Sequence, residues 1–253
     1  MLKRCILAEN RKLHASPIWA MFFLLPILSA TYGTFNYLQN LEILTDGWYS
    51  LWTQHTLFYS ILFFPAMVAT YAAYLWRLEH LGHNWNLIMA SPVPPLDLFA
   101  GKAVFGVLEV LLVTVLELAC VPVLGRVHGY TEAFPTGQLC YLFVCTLAVD
   151  AMLFFGEFLL MLWVGNPLPA LCVGIVGALV GLFSGFMPPL VSYFVPFGYY
   201  IPLSAYEVAN WDKATHTVTY GTRPFNWGLL AFILALGAVL FALAWRKVQD
   251  EEV

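Results

Sequence analysis

Four carboxylic acids stand where such groups are costly. Glu109, Glu117, Asp150 and Glu157 each fall inside an apolar run of membrane-crossing length. An ionisable side chain at that depth marks a functional site or a buried partner. Asp150 and Glu157 are seven residues apart and share nearly one helix face. Glu109 and Glu117 are eight apart, within about 80° of each other around a helix. No Lys or Arg occupies the middle of these runs, so some of these acids are expected to be protonated or to line a wet cleft. They could recognise a cationic peptide and form its path. The plainer and preferred role is hydrogen bonding between helices that sets how the bundle packs.

Other chemical constellations are missing. The chain has no G-x-x-x-x-G-K-[ST] loop, so it cannot hold nucleotide as P-loop proteins do. If ATP drives it, another polypeptide must supply the ATPase. His80 and His83 could share a ligand face, but no third ligand accompanies them, and no metal site is expected. No serine sits in a nucleophile elbow or pairs with a histidine at one depth. Catalytic, cofactor-binding and metal-binding residues are therefore all expected to be absent. Cys5, Cys120, Cys140, Cys145 and Cys172 form no C-x-x-C pair and mostly lie in apolar runs, which reads as buried structural thiols.

The elements that position the acids follow from composition. Hydrophobic residues make up 61% of 253 and charged residues 10%, whereas a soluble domain keeps roughly 25% charged. This is an all-α polytopic membrane protein, a single transmembrane domain over residues 1–253. Leu2, Cys5, Ile6 and Leu13 share one side of an N-terminal helix over 1–16, with Glu9 interrupting the apolar side. That segment is expected to lie on an anionic inner leaflet.

Six spans follow, each near the roughly 20 apolar residues a bilayer demands: 17–37, 50–76, 103–124, 138–164, 168–184 and 225–245. Gly165-Asn166-Pro167 turns the fourth into the fifth. Gly174, Gly177, Gly181 and Gly185 suit close helix approach in lipid. Residues 186–202 are apolar and aromatic but broken by Pro188, Pro189, Pro196 and Pro202. A re-entrant or interfacial hairpin is expected there, within an extracellular segment over 186–224.

Six spans put both termini on one side, with eight of the eleven basic residues (Lys3, Arg4, Arg11, Lys12, Arg77, Lys102, Arg246, Lys247). The positive-inside bias makes that side cytoplasmic. The chain is thus expected in the cell membrane, multi-pass, among membrane lipids and with no nucleic-acid partner.

The longest polar interruption on that side is Arg77 to Lys102. It sets Trp85, Leu87, Ile88 and Met89 among Glu79, His80, His83, Asn84 and Asn86. It is too small for a domain and too apolar for a plain loop. It reads as a docking element, or else as an amphipathic helix lying on headgroups with Trp85 as its anchor.

The run from Glu79 through His83-Asn84-Trp85-Asn86-Leu87 to Ser91-Pro92-Val93, with Lys102 opening the third span, resembles the cytoplasmic loop of ABC-2 type permeases. The lantibiotic-immunity and bacitracin-resistance branch is the nearest in pattern. In place of the small or basic residue often found after Pro-Val in that branch, Pro94-Pro95 follows here. The resemblance implies a permease that pairs with a second permease, itself or a paralogue, and sits on two ATP-binding cassette subunits that carry ATP and Mg. Glu79, His83, Asn84, Trp85, Asn86 and Leu87 would then form the ATPase-coupling helix. The implied activity is export of a lantibiotic-like antimicrobial peptide from the membrane, giving self-protection or resistance. Export of a drug, lipid or ion, or a non-transporting membrane anchor, are the alternatives.

Overall fold

The computed structural model describes residues 2–14, 16–44, 47–80, 93–131, 133–212 and 217–250. The fold is mostly helical, 78%. Its order is α1 (Leu2–His14), α2 (Ile18–Gln39), α3 (Gly47–Phe58), a π turn (Tyr59–Phe63), α4 (Phe64–His80), α5 (Pro95–Val127), α6 (Thr136–Val164) and α7 (Pro167–Ser184). The short α8 (Pro189–Ser192), a 3-10 turn (Pro196–Gly198), strands β1 (Tyr206–Asp212) and β2 (Thr217–Thr222), and α9 (Trp227–Asp250) complete it.

Among the described residues, four helices are long and apolar enough to cross a membrane: Leu96–Val127, Thr136–Val164, Pro167–Ser184 and Trp227–Asp250. The expected second span is divided differently. The π turn interrupts it, so α3 has 12 residues and α4 has 17, and neither alone reaches the required length.

Local chemistry explains the helix ends. Gly165 closes α6 at φ +67°, a left-handed conformation that glycine adopts without strain. The Asn166 side chain accepts from Leu168 N at 3.0 Å and caps α7, with Pro167 in the first turn. Pro95 opens α5 in the same way, and Asp97 in its first turn complements the helix dipole. The loop expected over 77–102 is therefore shorter at both ends, and Lys102 lies inside α5 rather than opening it.

Helix packing uses the glycines of α7. A methyl group at Gly174 would come within 1.9 Å of Ala69 Cβ on α4, so only glycine permits this approach. Gly181 instead meets the backbone of Phe197, at 2.6 Å from its carbonyl oxygen to an added methyl. Among the largest buried side chains, Tyr59, Phe64, Tyr71 and Phe154 share one core cluster of the π turn, α4 and α6, whereas Trp52 of α3 packs in another with Leu118, Val121 and Leu142. Phe99 of α5 joins Phe158 of α6 and Trp245 of α9, with ring centroids 5.6 and 5.8 Å apart.

The segment before α9 departs from an all-α expectation. Its first half breaks at the prolines into α8 and the 3-10 turn, leaving Phe186, Leu190 and Phe194 exposed while Tyr199 and Tyr200 are buried. Its second half is an antiparallel β-hairpin pairing Tyr206 with Thr222 through Asp212 with Thr217, with a register shift between Val208 and Asn210. Val218 N donates to Ile43 O at 3.1 Å, tying β2 to the α2–α3 connection.

Candidate functional site

At the end of the bundle that carries α1, a buried ion cluster joins three helices. Cys5, Glu9 and Leu13 form one buried stripe on α1, four residues apart and so on one face. Gly101 of α5 lets that stripe close in, because a methyl there would sit 2.7 Å from Cys5 Cβ. The acid that interrupts the apolar side is thereby explained. Lys102 Nζ donates to Glu9 Oε2 at 2.8 Å and also to Glu79 Oε1. Lys12 Nζ reaches Glu9 Oε1 at 2.9 Å and Glu79 Oε1 at 2.5 Å.

Burial sets the electrostatics. The Glu9, Glu79 and Lys102 side chains are 2%, 3% and 6% exposed, against 33% for Lys12. Burial pushes the Glu79 carboxyl up, but the Lys102 and Lys12 ammonium groups outweigh it and hold the carboxyl below its usual range. For Lys12, burial works downward, and the Glu9 and Glu79 carboxylates more than reverse it, raising the ammonium.

The geometry thus fastens α1 to α4 and α5, the two helices that enter and leave residues 81–92. Of the six residues implied in ATPase coupling, Glu79 is at this cluster. His83, Asn84, Trp85, Asn86 and Leu87 lie outside the described residues, as does most of the docking stretch.

The four membrane acids are all buried, each 6% exposed or less, and they divide into separate environments. Ser29 of α2 donates to Glu117 Oε1 of α5 at 3.2 Å and lies 2.9 Å from the His55 carbonyl oxygen of α3. Tyr200 donates to Asp150 Oδ1 on α6. Tyr59, on the π turn, is within electrostatic reach of both Glu117 and Asp150. Glu157 sits at the α4–α7 crossing, where an added methyl at Gly174 would touch its Oε1 at 3.2 Å. Glu109 lies nearer the start of α5, within reach of Tyr71.

The structure therefore brings Glu117 and Asp150 about one tyrosine. It does not gather all four into one cleft. Their depth was legible from sequence. Their partners Ser29 and Tyr200 were not, because each sits on another element.

At the hairpin end, a cavity of about 390 Å³ opens between α3, the π turn and the hairpin, with Thr53, Thr56, Ser60, Tyr200, Tyr206 and Tyr220 on its walls. The sequence places Tyr200 and Tyr206 within the extracellular segment over 186–224 but gives no sign of the cavity. The alternating β-formers of 217–222 were the available signal for the hairpin that makes it.

Comparison with known proteins agrees with this architecture. A search of curated proteins finds no match. The profile of the ABC-2 family transporter protein matches residues 5–197, from α1 through the 3-10 turn and well over half of the chain. Members of that family work with ATP-binding subunits. The helical membrane bundle and this match together establish that the chain belongs to the ABC-2 transporter family and is an integral membrane subunit of an ABC transporter.

Proposed function

We propose that this chain is one permease of an ATP-driven exporter that expels a lantibiotic-like antimicrobial peptide from the membrane. It pairs with a second permease and rests on two ATP-binding subunits, which carry ATP and Mg. In this reading α2 and the α3–π–α4 rod are the first two of six spans, and both termini are cytoplasmic. The observation that carries it is the ion cluster at the root of residues 81–92. A partner pushing on that loop moves α1, α4 and α5 as one body, because Glu9, Lys12, Glu79 and Lys102 bond them together. The peptide cargo is supported by resemblance of Glu79 and His83–Leu87 to the immunity branch and by the aromatic outer segment.

Affinity purification from native membranes in mild detergent tests the assembly. A P-loop ATPase and a second permease are expected to co-purify, identified by mass spectrometry. If no ATPase appears even after crosslinking, the exporter reading fails.

The membrane acids take the plainer role in this proposal. Glu117 and Asp150 each accept a hydrogen bond from a different element, and the amide variants retain an acceptor there. The double variant Glu117→Gln with Asp150→Asn is expected to keep expression, assembly and peptide resistance near wild type. Lost resistance with assembly intact would instead place both acids on the peptide's path.

A further inference from the structure

The ends of two membrane-length helices fix a depth. Ser184 closes α7 and Trp227 opens α9. Both ends meet at a cavity of about 480 Å³ whose walls include Ser184, Tyr193, Arg223 and Asn226. Tyr193 and Trp227 are exposed there, as aromatic residues are where headgroups begin, so the cavity lies at headgroup level. An apolar groove of about 500 Å³ runs from it along α7 toward the middle of the membrane, with exposed Phe194 on its wall. Val173, Gly177 and Val180 line the groove and Ser184 lines the cavity. Their spacings of four, three and four keep one helix face.

A cation and an anion meet at the cavity's inner edge. Arg223 Nε donates to Glu207 Oε2 at 3.0 Å, Nη2 lies 2.8 Å from the same oxygen, and Nη1 donates to Ile201 O at 3.2 Å. A guanidinium has five N–H groups, so one on each terminal nitrogen is left for a ligand. Arg223 also borders the 390 Å³ cavity, where half-exposed Glu207 stands with its Oε1 outside the pair. Tyr193 accepts from Asn226 Nδ2 at 3.1 Å and keeps its own proton to give. Ser184 and Ser192 instead spend theirs on Gly181 O and Pro189 O. A phosphate suits the remaining N–H groups of Arg223, yet a plain anion would also meet Glu207. A headgroup that carries an ammonium beside its phosphate answers both charges.

We propose that the meeting of α7 and α9 holds a zwitterionic phospholipid. Its phosphate sits on Arg223 and Tyr193, its ammonium faces Glu207, and one acyl chain lies in the groove beside Phe194. Arg223 also fastens the base of the β-hairpin, its backbone N donating to Ala205 O at 2.8 Å. Lipid and hairpin thus share one residue. The site is independent of which cargo the transporter moves.

The test uses the transporter purified from native membranes into nanodiscs that contain phosphatidylethanolamine with a diazirine on its acyl chain. Photolabelling, mapped by mass spectrometry, is expected on peptides containing residues 172–180 or 193–197. Unlabelled phosphatidylethanolamine should displace the probe. Phosphatidylglycerol of the same chains should displace it about three- to tenfold less well, and Arg223→Gln should lower labelling by a similar factor. Glu207→Gln is the deciding variant: with the anion gone, the preference is expected to turn toward phosphatidylglycerol. Val176→Trp, at an exposed position in the groove, should lower labelling while leaving both charges and the hairpin as they are. Label spread evenly over the exposed faces of α2, α7 and α9 overturns the site. So does an unchanged headgroup preference in Glu207→Gln, or unchanged labelling in Val176→Trp, which needs no change at the hairpin. Displacement by free phosphoethanolamine as effective as by the whole lipid would assign the charges to a soluble zwitterion and overturn the lipid.

Discussion

Replacing Lys102 by methionine is expected to destabilise the fold by about 3–5 kcal/mol, the cost of leaving buried charges without their partner. Lys102 is the cation that both buried carboxylates share, and at 6% exposure no solvent replaces it. Without it, Glu9 and Glu79 face each other with Lys12 alone between them. Lys12→Met should cost less, because that side chain is one-third exposed and water screens its absence. The triple variant Glu9→Gln, Glu79→Gln, Lys102→Met should regain much of the loss, since it removes the charges together. Thermal unfolding in nanodiscs, followed by tryptophan fluorescence, measures all three. A Lys102→Met protein that unfolds with wild type would show that the cluster holds nothing.

The same cluster predicts a window in pH. The Glu79 carboxyl is held low in the fold, so its contribution is present above the ordinary carboxylate value and is lost as pH falls through the folded value. The Lys12 ammonium is held high, so its contribution is present below the ordinary lysine value and is lost as pH rises through the folded one. The union of α1 with α4 and α5 should therefore be firm across neutral pH and loosen at both extremes. Limited proteolysis of the α1–α2 junction against pH reports this directly.

Why α1 docks as it does was only half legible in the sequence. The apolar stripe predicts an interfacial helix over 1–16; a helix forms there, and its buried stripe packs against Gly101 of α5. Glu9 looked like a flaw in that stripe, because periodicity reads one helix at a time. Its partner Lys102 lies 93 residues away, beyond any local pattern. The membrane segments were read more surely, since length and apolarity are local properties. α6 and α7 begin and end within two residues of expectation, helped by the Gly165-Asn166-Pro167 turn. The hairpin escaped because Tyr206 to Thr222 carries its alternation on a short, polar, half-exposed ribbon. Its stability comes from Thr53, Thr56 and Ile43 on distant elements. The acids show the same division: helix depth follows from spacing, whereas Ser29 and Tyr200 become partners only through packing.

Substituting Trp85 by alanine is expected to have the larger consequence for activity. In the proposed assembly Trp85 is the aromatic anchor of the coupling segment, and such anchors carry about 2 kcal/mol or more of an interface. That corresponds to a loss of retained ATP-binding subunit of roughly thirtyfold or greater. The variant should leave the fold's thermal midpoint unchanged, because Glu79, Lys102, Glu9 and Lys12 hold the roots of the loop without it. Lys102→Met should do the reverse, lowering the midpoint while leaving Trp85 itself in place. Measuring subunit retention and thermal midpoint on both variants therefore separates the anchor from the frame that supports it. If Trp85→Ala keeps its ATP-binding subunit but loses affinity for anionic vesicles, the segment lies on headgroups. Coupling would then have to enter through another surface of the α1 end, where the ion cluster still makes three helices move together.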